Sequence, residues 1–271
     1  MTLIITTITK DTIIGSTDSA LTYSDNPSER LAEEANKILE IPYINGLILW
    51  YGSAEVGGST ENWLIEIINK MQYKVNDVKD FSSKFGKELT KLPKQERSGF
   101  HISGFCDIDN DGKLEHFFEH WSNESNYNQY LAGESYNILS ESMTEFKRKF
   151  NPDYIYLFFN GEHEIFYKIF NNYHGSLKQV QSILASNNIC YDEEKVRNLM
   201  ESLISLISRT CELFGQQHIG GTIKSKIIKL DSFNIKNVQN QTQPIEPHKS
   251  EDQNTQQNYS NIGSFSPKGY F

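Results

Sequence analysis

Thr2-Leu-Ile-Ile-Thr-Thr-Ile-Thr-Lys-Asp-Thr-Ile-Ile-Gly-Ser-Thr-Asp18 follows Met1 directly. Leu3 to Thr9 is β-branched and apolar, Lys10-Asp11 is a turn signal, and Thr12 to Thr17 is strand-like again. The stretch therefore predicts a hairpin that delivers Asp18 sixteen residues after Thr2. Methionine removal is normally efficient before a small residue. It would leave Thr2 carrying both a hydroxyl nucleophile and a free amine that can serve as its base. No long propeptide would have to be cut.

Outward from this hairpin, Ser24 to Asn36 is polar and charged, and Lys37-Ile-Leu-Glu-Ile41 and Gly46-Leu-Ile-Leu-Trp-Tyr51 predict a second pair of strands ending at Gly52. Helical apolar spacing marks Ser59 to Met71 and Val78 to Leu92. Strand-like runs on either side of Asp109-Asn-Asp-Gly112 predict another hairpin. Tyr136 to Phe150, Ser176 to Asn187 and Asp192 to Phe214 have helical spacing, and Thr222 to Leu230 reads as a closing strand. Residues 151–175, rich in aromatics, are expected to be an insertion with helical content. Strands, two helices, strands, helices and a strand in that order fit an α+β four-layer sandwich better than a doubly wound sheet.

The chain has 271 residues, 37% of them hydrophobic, enough for one domain over 1–233 with a sizeable core. From about Asn234 to Phe271 it turns to Asn, Gln, Ser and Pro, a composition expected to be disordered. Tyr270 is penultimate, but Gly269 stands before it where a ring-docking tail would carry an apolar residue. A net charge of −9 argues against nucleic acid or an anionic membrane as the main partner. There is no basic leader and no run of about 18 apolar residues, so a soluble cytoplasmic protein is expected. Cys106, Cys190 and Cys211 are widely spaced and read as reduced, buried thiols.

Thr2, Asp18-Ser-Ala-Leu-Thr22, Lys37-Ile-Leu-Glu-Ile41 and Tyr51-Gly-Ser-Ala-Glu55 together resemble the opening of proteasome β-type subunits. That superfamily of N-terminal-nucleophile hydrolases includes the proteolytic subunit of a bacterial ATP-dependent protease and shorter bacterial proteasome relatives. The likeness is closest over residues 2–58 and extends loosely to the Asp109–Gly112 hairpin and Gly220-Gly-Thr-Ile. It implies an αββα sandwich and a threonine peptidase acting on peptide or protein substrates without cofactor or metal, in homo-oligomeric rings. By resemblance, Thr2 is nucleophile and base together, Lys37 tunes the amine by its charge, and Asp18 holds Lys37 charged and oriented. The oxyanion donor would be the backbone at the Gly52 turn, with Tyr51 as the neighbouring candidate. Thr22 matches a position whose backbone pairs with substrate.

The resemblance weakens around this group. Glu134 or Ser135 stands where the family has a Gly-Ser-Gly turn, Gln216 begins a stretch that replaces Asp-x-x-Ser-Gly, and Ala20 stands where an Arg is common. Two other functions therefore stay open: a catalytically silent assembly protein, and hydrolysis of small-molecule amides. Three further motifs are read as structural. His116-Phe-Phe-Glu-His120 matches a zinc pattern but follows a hairpin turn and reads as a strand. Asp107 to Gly112 imitates half a calcium loop, yet Phe118 occupies the position of its bidentate Glu. A cysteine hydrolase using His218 has no local signature behind it.

Overall fold

The computed structural model describes residues 2–22, 30–32, 34–92, 97–123, 131–133, 136–137, 155–161, 192–215 and 219–230. β1 (Leu3–Ile8) and β2 (Thr12–Thr17) form the opening hairpin, paired antiparallel from Ile4 opposite Thr17 to Ile8 opposite Ile13. Its tip is tied by Thr9 N donating to the Thr12 carbonyl at 3.0 Å. β3 (Leu21–Thr22) and β4 (Arg30–Ala32) make a small ribbon, and β5 (Ile38–Ile41) and β6 (Gly46–Gly52) make the next hairpin.

α1 (Thr60–Met71) and α2 (Val78–Leu89) follow. Leu64, Ile65, Ile67, Ile68 and Met71 supply the buried stripe of α1, and Val78, Phe81, Phe85 and Leu89 that of α2. Asp77 caps α2 by accepting from Asp80 N at 2.7 Å. β7 (Ser98–Cys106) and β8 (Glu115–Ser122) then pair around the Asp109–Gly112 turn. After β9 (Leu131–Gly133), β10 (Tyr136–Asn137) and β11 (Tyr156–Gly161), the chain forms α3 (Glu193–Leu213) and closes with β12 (Lys224–Lys229).

Two antiparallel sheets result, ordered β10-β11-β1-β2-β12 and β5-β6-β7-β8-β9. With the helices they make an α+β fold, as the element order predicts. Alternation along the strands sorts side chains into separate cores. Leu3 and Ile5 of β1 join Val196, Met200, Ile204 and Ile207 of α3. Ile4 and Ile8 of the same strand instead join Leu47, Leu49, Phe105 and Phe118 of the other sheet. On β6, Ile48 and Trp50 face the α1 and α2 side chains. Burial on both faces is why β1 and β6 read as continuous apolar runs rather than alternating ones.

The same cause hid β11. The aromatic stretch 151–175 is expected to be a helical insertion, but Tyr156–Gly161 is an interior strand between β10 and β1. A strand covered on both faces carries no polar alternation to identify it. Tyr136 and Asn137 are likewise strand where helix is expected, because they pair with Phe159 and Phe158. The helix expected over 176–187, the rest of 138–150 and the 234–271 tail lie outside the described residues.

One buried polar network crosses between the sheets. His101 contacts Thr6 Oγ1 through Nδ1 at 2.9 Å and Asn160 Oδ1 through Nε2 at 2.7 Å. Neighbouring His120 shares a 2.9 Å hydrogen bond with the Tyr51 hydroxyl. Burial, then the adjacent His120, pushes the His101 pKa well below its ordinary value. On β8, burial also lowers His116 to about 4. An unfolded His116 takes up a proton as pH falls through about 6.5, whereas the folded one resists down to about 4, so folding is progressively disfavoured between them. Urea titrations should show His116→Gln abolishing up to about 3 kcal/mol of the stability loss between pH 6.5 and 4. An unchanged pH slope would contradict a neutral, half-buried His116.

Candidate functional site

A hairpin of two six-residue strands returns the chain to its own starting point, so Thr2, entering β1, and Asp18, leaving β2, come side by side. The Leu3 amide donates to Asp18 Oδ1 at 3.0 Å and closes that end. Lys37 arrives from the other sheet, one residue before β5. Its carbonyl accepts from Trp50 N at 3.1 Å, and the Asn36 carbonyl accepts from the Trp50 indole at 3.1 Å, which holds the Lys37 backbone against β6.

Lys37 Nζ has three donors and three acceptors around it. It donates to Thr2 Oγ1 at 2.6 Å, to Asp18 Oδ2 at 3.1 Å and to the Ala20 carbonyl. Lys37 and Asp18 are fully buried, and Thr2 is only 2% exposed. Asp18 Oδ2 also accepts from Gly220 N at 3.3 Å, while the Gly220 carbonyl accepts from Ser19 N and Ala20 N. Burial lowers the Lys37 pKa, and the Asp18 charge and hydrogen bond oppose that shift. The ammonium therefore gives up a proton more readily than a surface lysine does, while remaining bonded to a threonine hydroxyl.

Thr2, Asp18 and Lys37, separated by up to 35 residues in sequence, thus share one hydrogen-bonded group. Gly52 stands at the end of β6 without a hydrogen bond to Thr2. Trp50 N points to Lys37 on the β5 side and Ser53 N points to Arg97 on the β7 side. Amides alternate along an antiparallel strand, so the Gly52 N–H faces the Lys37 side and the Tyr51 N–H faces β7. The Tyr51 side chain is engaged with His120. At Gly52, φ is +87° and a Cβ would lie 2.6 Å from Ser98 Cα, which requires glycine. Thr22 lies on β3 with its backbone opposite Arg30 of β4.

Glu134, Ser135 and Gln216 lie outside the described residues. The strands flanking 134–135 pair with β8 and β11, and neither pairs with β1. β11 lies along β1, with Gly161 opposite Leu3. Sequence reasoning missed this neighbour, and it noted Gly220 only as part of a loose likeness. A glycine ending an aromatic run, as Gly161 does, was the available signal.

The other motifs are accounted for by local structure. Asp107 accepts from the amides of Asp111 at 3.0 Å and Gly112 at 2.8 Å, which is turn chemistry. His120 is bonded to Tyr51, while Glu119 accepts from Ser82 of α2 on the opposite face of β8. Among the described residues, no three His, Cys, Asp or Glu side chains are grouped to hold a metal ion. Cys106 and Cys211 are buried free thiols, and no described helix is long and apolar enough to cross a membrane. No family model matches the chain, and no curated protein matches it.

Removing one partner of a buried ion pair strands the other charge. Lys37→Met and Asp18→Asn should each cost about 3–5 kcal/mol in urea denaturation. The double variant should cost much less than their sum, because a neutral pair has no stranded charge. Additive losses would contradict direct coupling of the two side chains.

Proposed function

We propose that this chain is a proteasome-like N-terminal-nucleophile hydrolase with the four-layer αββα sandwich, and that it cleaves peptide amides through an acyl-enzyme on Thr2. The observation that carries this reading is the Lys37 ammonium bonded at once to the Thr2 hydroxyl and to Asp18, with all three buried. The separate cores, α1 and α2 on one sheet, α3 on the other and one between the sheets, support the layering.

Met1 removal exposes the Thr2 amine, which takes the hydroxyl proton as Oγ attacks the scissile carbonyl. Lys37 at 2.6 Å stabilises the developing negative charge on Oγ, and Asp18 keeps Lys37 oriented. The Gly52 amide, aimed to the Lys37 side, is the donor for the oxyanion. The amine then returns its proton to the leaving nitrogen, and water releases the acyl group from Thr2 by the reverse sequence.

Protein freed of Met1 should hydrolyse fluorogenic peptides. Thr2→Ala should abolish that activity, Thr2→Ser should keep part of it, and Lys37→Ala should lower kcat/KM by at least about 100-fold. Hydrolysis that survives Thr2→Ala would sink the assignment. Retention of Met1 in the mature protein would favour the silent assembly reading, and turnover of small amides alone would favour an amidohydrolase.

The pH dependence has a definite sign. A neighbouring ammonium disfavours the protonated amine, so activity should rise with pH about a midpoint below the ~7.7–8.0 of a free α-amine. In Lys37→Met, any residual activity should titrate at higher pH. A midpoint unmoved by that substitution would remove Lys37 from the tuning role.

A further inference from the structure

Gly161 ends β11 opposite Leu3 with φ at +97°. A Cβ built there would overlap the Thr2 carbonyl oxygen and lie 2.9 Å from the Thr2 carbonyl carbon and 3.5 Å from Leu3 Cα. These are main-chain atoms, which cannot swing aside as a side-chain end can. By contrast, a Cβ on Gly112, at φ +81°, would meet nothing within 4 Å. Gly112 needs only the left-handed conformation, whereas Gly161 also needs the empty space.

The peptide unit joining Thr2 to Leu3 is consequently held from both sides. Its N–H donates to Asp18 Oδ1 at 3.0 Å, and its carbonyl oxygen packs into the space left by the absent Gly161 side chain. Pushing that peptide unit away from a Gly161 Cβ would carry the Thr2 Cα with it, since the unit is rigid and includes that atom. The Oγ1 would then leave its 2.6 Å contact with Lys37 Nζ.

We propose that Gly161 is a positioning residue for Thr2, its bare Cα setting the position of the Thr2–Leu3 peptide and hence the place of the hydroxyl beside Lys37. The inference rests on the reading of Thr2 as the nucleophile. It adds a residue from β11 that touches neither Lys37 nor Asp18 through any side chain.

The experiment compares Gly161→Ala with Gly112→Ala, which imposes similar backbone strain without the overlap, in protein freed of Met1. Acylation of Thr2 by a β-lactone probe is followed by intact mass and expressed per folded molecule, with the folded fraction taken from near-ultraviolet circular dichroism. Gly161→Ala should slow acylation at least tenfold, and an ångström of displacement allows about 100-fold. Gly112→Ala should stay within about twofold of the parent. In peptide hydrolysis, likewise expressed per folded molecule, the Gly161→Ala loss should fall on kcat with KM retained, whereas lowered stability alone leaves no loss after that normalisation. A folded Gly161→Ala that acylates less than tenfold slower overturns the proposal.

Hydrogen exchange on the unsubstituted protein covers the case in which Gly161→Ala does not fold. The Leu3 amide should exchange only through global unfolding, and exchange at the rate of a fraying terminus overturns the two-sided hold. That measurement needs no catalysis. A parent protein whose Thr2 takes no probe would reject the hydrolase reading itself, and Leu3 exchange would still decide whether the peptide is held.

Discussion

A lysine ammonium and a carboxylate withdrawn from water constrain everything around them. Lys37 and Asp18 have no exposed surface, and such a pair persists only where its remaining hydrogen-bonding capacity is met. The chain meets it by bringing four segments together. Thr2 and Ala20 complete the lysine, and the Leu3 and Gly220 amides complete the carboxylate. These segments come from the ends of β1, β2 and β5 and from the approach to β12, so the pair fixes one end of both sheets relative to each other. Apolar residues of matching shape would give similar or greater stability there. On the proposed reading, the ion pair is kept beside Thr2 for the chemistry of its hydroxyl.

Much of this was legible in the chain. The β1–β2 hairpin is marked by its turn and by unbroken β-branched runs, and once it closes, Thr2 and Asp18 must be neighbours. The hairpin of β5 and β6 placed Lys37 and Gly52 near one end for the same reason. Strand alternation turns the Gly52 and Tyr51 amides to opposite sides, as Trp50 N and Ser53 N are bonded to opposite sides.

The parts that were not legible share one physical origin. β11 is covered on both faces and lacks the polar alternation of a half-exposed strand, so its aromatic run resembled an insertion. β11 lies beside β1 with Gly161 opposite Leu3, and no local signal in a sequence says which distant strand will lie alongside the first one. The late contact of Gly220 with Asp18 is similar, since 202 residues separate the partners. His101 and Asn160 were also missed, because a buried neutral histidine bridging two sheets is indistinguishable in sequence from an exposed one.

The central claim is that the Thr2 hydroxyl is the nucleophile, and the most direct measurement is peptide mapping by tandem mass spectrometry after reaction with a β-lactone probe. The account predicts a single adduct on the N-terminal peptide, localised to Thr2 as the first residue, with Met1 absent. An adduct carried by any other residue, or one formed with Met1 still attached, would contradict it.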